Sequence, residues 1–207
     1  MRSSSFDIFA GWCAVVAGLF GFLYSIAFVL IQPTSPLIGA ILSSTFMIII
    51  GFFTTGTLTA IYGRLRGRSP EFALWAYLLG VVGAVGSAIH GSYDLANAIH
   101  PLSLGATEAA AGVPSQVDPR GFLTFLIYAV ALLTFSILII TSRRFPNALG
   151  ILGIVLAAVL MLLYFARMIS LDPSNLLVVV LVILSGFILS PVWNIWLGLA
   201  LWRGVTK

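Results

Sequence analysis

The chain has 207 residues, of which 60% are hydrophobic and only 8% are charged. Soluble domains have about a quarter of their residues charged, so this composition excludes an ordinary soluble domain. The net charge of +4 does not indicate a nucleic-acid partner, because the basic residues stand in small groups without interleaved aromatic residues. The single cysteine, Cys13, excludes a disulfide bond within the chain.

Six apolar segments account for most of the sequence, and each is long enough to cross a bilayer. A run of about 20 apolar residues spans a hydrocarbon core of about 30 Å. The first segment is longer than the apolar part of a signal peptide and lacks a cleavage pattern, so we expect it to be retained. The predicted fold is all-α, a single-domain (1–207) polytopic transmembrane bundle of six helices. The predicted helices are about 8–31, 37–62, 72–99, 120–141, 147–169 and 174–202.

Capping residues followed by proline mark most of the predicted helix starts. A side-chain oxygen at the cap satisfies an exposed backbone N–H, and proline fits the first helical position, where no N–H is needed. Four of the connections are short, and the fifth is a long outer loop, 101–119. The capping pairs are Ser35-Pro36, Ser69-Pro70, Asp118-Pro119 and Asp172-Pro173, before the second, third, fourth and sixth helices.

The distribution of basic residues predicts the orientation of the chain. Eight of the ten lysine and arginine residues lie at one end of the predicted helices, and only Arg120 and Arg167 lie at the other. Short loops rich in lysine and arginine stay in the cytoplasm. We therefore expect both termini to be cytoplasmic (N-in/C-in), with the 101–119 loop outside.

The third predicted helix carries a stripe of small and polar residues on one face. This face should meet protein, because lipid would leave its polar groups without hydrogen bonds. Its glycines favour close helix packing. Its polar half, Ser87, His90, Asp94 and Asn97, is the candidate binding site. At 100° per residue, an arc of about 120° contains Ala76, Gly80, Gly83, Ser87, His90, Gly91, Asp94 and Asn97.

Arg167 on the fifth helix is the predicted partner of this stripe. It lies about 30 Å along its helix from Asn147, and Asp94 lies about 33 Å from Phe72, so both reach a similar depth near the outer surface. Two interpretations stay open for Asp94 and Arg167: a structural ion pair near the interface, or ionisable groups that act on a solute or a proton. His90 is either a packing residue or a proton-handling group.

Several other chemistries lack the residues they need. His90 and His100 are the only histidines and do not share a helix face, which excludes a two-histidine haem within one chain, and no Cys/His cluster fits a metal site. Ser87, His90 and Asp94 share one helix, which does not aim three side chains into a catalytic relay. We predict no metal site and assign no catalytic residue, and the sequence leaves any cofactor unknown.

Two segments carry a resemblance to known proteins. Residues 87–97 (SAIHGSYDLAN) and 116–121 (QVDPRG) resemble the small six-helix integral membrane proteins of bacteria, a likeness that covers the whole chain. Such proteins have no assigned activity, so the resemblance implies a bacterial plasma-membrane location and carries no functional residues across.

Three functions fit the sequence. The preferred one is a non-enzymatic partner or accessory subunit, whose partners are the lipid bilayer and either further copies of the chain or the subunits of a membrane complex. The second is a small-solute or proton-coupled transporter or channel that uses the polar stripe with Arg167, beneath the 101–119 loop. The third is an intramembrane enzyme or redox subunit acting on lipid or quinone, with His90 and Asp94 handling protons. The scarcity of motifs favours a non-enzyme.

Overall fold

The computed structural model describes residues 4–100, 117–170 and 175–203. Within these ranges the protein is helical and contains no β-strand. Six of its helices are long and apolar enough to cross a membrane, which confirms the predicted all-α membrane bundle. They are α1 (Ser5–Ile31), α2 (Pro36–Leu65), α3 (Pro70–Ile99), α4 (Phe122–Ser142), α5 (Asn147–Ile169) and α6 (Leu176–Trp202).

Helix starts differ from the predicted ones by a few residues, for local reasons. α1 begins earlier than 8 because Ser4 and Asp7 form a capping box, in which each side chain accepts a hydrogen bond from the other residue's backbone N–H. α6 begins at Leu176 and not at 174, because the Asn175 side chain accepts from the backbone N–H groups of the first turn. The expected cap at Asp172 lies outside the described residues, as does most of the outer loop, 101–116.

The start of α4 also differs from the prediction. The sequence placed the helix at 120, directly after Asp118-Pro119, whereas α4 begins at Phe122. Gly121 precedes it with a φ of 80°, a left-handed conformation that favours glycine and separates Pro119 from the helix. Asp118 still caps α4, but it reaches over this turn to do so.

The helices form a ring in chain order. Consecutive helices are joined by short connections or pack directly against each other, and α6 packs along α1, so the last helix closes on the first. The described chain ends meet at one end of the ring, where the indole N–H of Trp202 donates to the backbone oxygen of Ile8 at 3.0 Å. We name this the termini end and the opposite one the far end; that the termini end faces the cytoplasm stays a prediction.

Glycines allow close approach along two seams of the ring. At the α1–α6 seam, a Cβ added to Gly198 would lie 2.7 Å from the backbone oxygen of Gly11, and Gly18 also packs against α6. At the α2–α3 seam, a Cβ added to Gly91 would lie 2.7 Å from the backbone oxygen of Ser44. Both seams therefore require small residues. The glycine face of α1, Gly11 and Gly18, thus packs against α6 of the same chain.

The tightest packing lies in the half of the ring nearest the termini end. At a rise of 1.5 Å per residue, all but one of the largest fully buried side chains lie within about 14 Å of that end of their helix. The exception is Leu163. The full set is Trp193, Phe135, Ile61, Leu65, Ile139, Leu149, Leu156, Leu163, Leu197, Leu201, Thr57 and Cys13.

Arg64, on α2, contacts α1, α6 and the α4–α5 connection at the termini end. Its Nε lies 3.2 Å from Oδ1 of Asp7 on α1. Its two terminal nitrogens donate to the last-turn carbonyls of α6, at Ala200 (3.3 Å) and Leu201 (2.8 Å). The guanidinium also lies over the ring of Phe145, just before α5, at 5.2 Å from the centroid. We name this group the Arg64 cluster; its cation complements the negative C-terminal end of the α6 dipole.

Three π-helical turns interrupt the helices in the part of the chain that the structure describes. They are Ile26–Ile31 at the end of α1, Phe122–Ile127 at the start of α4, and Leu184–Leu189 in α6. The last precedes Pro191, which removes a backbone hydrogen bond from α6. All three turns lie in the far half of the ring, and such turns occur frequently at functional sites.

Candidate binding site in the far half of the ring

The polar stripe of α3 faces the neighbouring helices. On its small-residue half Ala76 and Gly80 are buried, whereas Val85 and Ile89 on the opposite face are 43% and 53% exposed. A Cβ added to Gly83 would lie 3.1 Å from the backbone oxygen of Leu123, so α3 approaches α4 as closely here as it approaches α2 at Gly91. These two contacts fix the rotation of α3 and direct its polar half to the inside of the ring.

His90 and Asp94 form a pair one helical turn apart. The Nε2 of His90 lies 3.1 Å from Oδ2 of Asp94, and the two side chains are 12% and 33% exposed. In a neutral imidazole whose Nε2–H donates to the carboxylate, Nδ1 is left as an acceptor. This Nδ1 is buried and has no hydrogen-bond partner in the protein.

The other two stripe residues contribute less to this pair. Ser87 Oγ donates to the backbone oxygen of Gly83 at 2.9 Å, within its own helix, so its proton is already in use. Asn97 is half-buried and lies one turn closer to the far end than Asp94. Both line the same side of α3 as His90.

Arg167 reaches the inside of the ring from α5 with most of its donors unused. Its Nη2 donates to the backbone oxygen of Pro119 at 3.0 Å, and the guanidinium lies 5.7 Å from the ring centroid of Phe125. Its Nε is buried and has no hydrogen-bond partner. Arg167 and His90 both lie about 30 Å from the termini end of their helices, so the two unpartnered nitrogens share one depth.

The expected Asp94–Arg167 ion pair is not formed. Among the described residues the ion pairs are Arg64 with Asp7 and His90 with Asp94. Asp94 pairs with His90 on its own helix, and Arg167 donates to the backbone oxygen of Pro119, just before α4. The half-buried Tyr24 of α1 lies within electrostatic range of both Arg167 and Asp94. We name Tyr24, His90, Asp94 and Arg167 the far-half cluster; its members come from α1, α3 and α5.

Asp118 and Arg120 hold the α4 side of this cluster in place. Asp118 is 3% exposed and accepts from the backbone N–H of Thr124 (3.0 Å) and from its hydroxyl (2.9 Å). Arg120 donates to the backbone oxygens of Arg167 (2.7 Å) and Met168 (2.9 Å) in the last turn of α5. The start of α4 and the end of α5 therefore bind each other reciprocally, since Arg167 returns a hydrogen bond to Pro119.

Sequence reasoning missed three residues here. Tyr24 has no charged neighbour on α1 to draw attention to it. Asp118 and Arg120 were interpreted as a helix start and as a charge outside the cytoplasmic set. The one available signal was the QVDPRG segment, which places an acid and a base within three residues of each other at a helix entry. A basic residue on the sparsely basic side of a membrane protein should have been assigned a specific partner.

The far-half cluster suits non-covalent binding of a polar molecule. It combines a guanidinium with unused N–H groups, an imidazole nitrogen, a phenol and a carboxylate within the membrane. No group of three metal-ligating side chains occurs in the part of the chain that the structure describes. No family model, curated protein or solved structure matches this chain. The resemblance to bacterial six-helix proteins therefore stays a prediction, and the function must be argued from the geometry.

Proposed function

We propose that this protein transports a small polar solute, which enters from the far end and binds at the far-half cluster. The observation that carries the proposal is that His90 Nδ1 and Arg167 Nε, two of the five buried side-chain atoms without a hydrogen-bond partner in the described chain, lie at one depth in the far half. Buried polar groups are almost always paired, and in a membrane an unpaired group costs several kcal/mol. A bound solute supplies the missing partners, and water serves in its absence.

The distribution of packing supports entry from the far end. Within the polar stripe of α3 the side chains become more exposed toward that end, from the buried Gly83 to His90 (12%) and Asp94 (33%), although Gly91 between these two is buried against α2. The large buried side chains lie in the other half, where Trp193 is 1% exposed and Phe135 is also 1% exposed. Together with the Arg64 cluster they close the termini end, an arrangement that suits the outward-open state of an alternating-access protein.

The orientation belongs to the same proposal. Several of the arginines at the termini end are exposed, among them Arg66, Arg68, Arg143 and Arg144. Exposed basic residues in short loops favour the cytoplasmic side. The far-half cluster would then open to the outside of the cell, and solute would be released to the cytoplasm after the Arg64 cluster separates.

Cysteine accessibility tests the proposal. Replacing the only cysteine by Cys13→Ala leaves a chain without thiols, in which Ser87→Cys reports water access to the site. Ser136→Cys, at a position 0% exposed in the termini half, is the matched control. Each variant is treated with a membrane-impermeant methanethiosulfonate, in intact cells and in inverted vesicles, so that the reagent reaches one end at a time.

We expect the Ser87→Cys variant to react from the far end and the Ser136→Cys variant to react from neither. Adding Arg64→Gln should make the Ser87→Cys variant react from the termini end at least about tenfold faster, because it weakens the closed state. A Ser87→Cys variant that is inert from both ends contradicts the proposal. The accessory-subunit hypothesis predicts this inert result. The hypothesis of an enzyme acting on lipid or quinone predicts that the site is accessible from the lipid alone.

A further inference from the structure

We propose that the molecule bound at the far-half cluster carries an oxyanion, a carboxylate or a phosphate, which the Arg167 guanidinium recognises. This inference rests on the proposed binding site and names the chemistry of its ligand. It follows from three properties of Arg167: the number of its unused donors, the lack of a carboxylate partner, and the way its neighbours orient it.

Arg167 has more donors than the protein uses. A guanidinium presents five N–H groups in one plane. Among the described residues one acceptor contacts it, the backbone oxygen of Pro119 at 3.0 Å, and Nε is buried without a partner. Carboxylates and phosphates match a pair of the remaining N–H groups, because two of their oxygens accept two parallel hydrogen bonds from arginine.

The nearby carboxylates are engaged elsewhere. Asp94 pairs with His90 at 3.1 Å, and Asp118 accepts hydrogen bonds from the first turn of α4. Arg167 therefore forms no ion pair among the described residues. An arginine inside the membrane that forms no ion pair is costly, and such residues normally pair or mark the path of an ion or substrate. Asp118, the described carboxylate whose charge reaches Arg167, is already bound to the first turn of α4. An oxyanion from outside the protein completes the pair.

The neighbours of Arg167 set the direction of approach. The ring of Phe125 covers one face of the guanidinium at 5.7 Å, and Arg120 holds the α5 backbone from which the side chain extends. The edge of the guanidinium is thus the part left for a ligand. The Tyr24 hydroxyl lies within electrostatic range and is a donor suited to the same oxyanion, while the acceptor at His90 Nδ1 suits a hydroxyl or amine on the ligand.

Two sources can provide this oxyanion, because Arg167 lies about 30 Å from the termini end, near the depth of the far headgroup layer. One is a free small solute, and the other is the phosphate of a lipid headgroup. The experiment is thermal unfolding of the full chain in dodecyl maltoside, followed by tryptophan fluorescence. The soluble probes are inorganic phosphate and acetate, with chloride balancing the ionic strength. The lipid probes are phosphatidic acid and diacylglycerol, which differ only in the phosphate.

We expect a saturable rise in Tm with at least one oxyanion probe, and an apparent affinity reduced by about 10–100-fold in Arg167→Lys, which keeps the charge but loses the paired N–H geometry. Arg66→Gln, at an exposed position, is the control and should behave as the unsubstituted chain. A response to phosphate or acetate identifies a soluble ligand. A response to phosphatidic acid alone, and not to diacylglycerol, identifies a headgroup.

Equal responses of the unsubstituted chain and Arg167→Lys overturn the inference, since phosphate also raises Tm non-specifically by exclusion from protein surfaces. The absence of any response overturns it as well. Arg167→Gln provides a second variant in which the charge is lost. If the Ser87→Cys variant reacts but no rise in Tm depends on Arg167, the oxyanion is rejected and the proposed binding site is retained. An inert Ser87→Cys variant rejects the proposed function itself.

Discussion

Replacement of Arg64 by glutamine tests how much of the stability depends on the Arg64 cluster. The side chains of Arg64 and Asp7 are 8% and 18% exposed, so their charges are largely removed from water. At the observed 3.2 Å, two unit charges attract by about 5 kcal/mol at an effective dielectric constant of about 20. Part of this attraction offsets the cost of desolvation. The variant also loses hydrogen bonds to the α6 carbonyls, so we expect the free energy of unfolding to fall by about 3–5 kcal/mol.

A double-mutant cycle separates the ion pair from the rest of the cluster. Arg64→Gln, Asp7→Asn and the double variant are unfolded in mixed micelles of dodecyl maltoside and sodium dodecyl sulfate, followed by tryptophan fluorescence. We expect a coupling energy of about 1–3 kcal/mol between the two positions. Arg66→Gln, in the same loop but exposed, should change stability by less than about 0.5 kcal/mol. The reasoning is refuted if Arg64→Gln costs no more than this control.

Two further predictions concern the α2–α3 seam and the far-half pair. A Cβ at Gly51 would lie 2.8 Å from the backbone nitrogen of Ala88, so Gly51→Ala should destabilise by about 1–3 kcal/mol or more. Gly63→Ala, on the same helix with nothing within 4 Å, should stabilise by up to about 1 kcal/mol, and micelle unfolding compares the two. Double-mutant cycles should give a coupling energy of about 0.5–1 kcal/mol between Asp94 and His90. A larger coupling of Asp94 with Arg167 would contradict the observed pairing.

The elements of this fold were predictable because lipid imposes strong rules on sequence. Each spanning segment must be apolar over its whole length, and its ends carry prolines and capping residues. The inward face of α3 was predictable for the same reason, since only one face can carry His90, Asp94 and their neighbours. The predicted α4 start failed because Gly121 inserts a left-handed turn, which hydropathy does not record.

The contacts between helices were much less predictable. Counting residues along α3 and α5 placed Asp94 and Arg167 at a similar depth in the membrane. Whether they pair depends on how each helix is rotated about its axis and on which other polar groups lie nearer. His90 is nearer to Asp94, and the Pro119 carbonyl is nearer to Arg167. The Arg64 cluster joins positions far apart in the chain, so no local pattern reveals it. The π-helical turns likewise arise from tertiary packing.

The seam between α1 and α6 has a consequence for biogenesis. Gly11 and Gly18 form a groove in a helix that the ribosome delivers before the other five, and the surface that fills it belongs to the helix delivered after them. Until the last helix is inserted, the small residues of this groove, which suit a protein neighbour, must face lipid or an insertase. Tyr24 lies on this same early helix, whereas Arg167 is synthesised later, on α5. Closure of the ring is therefore a late event, and a chain stalled before its sixth span would remain an open arc.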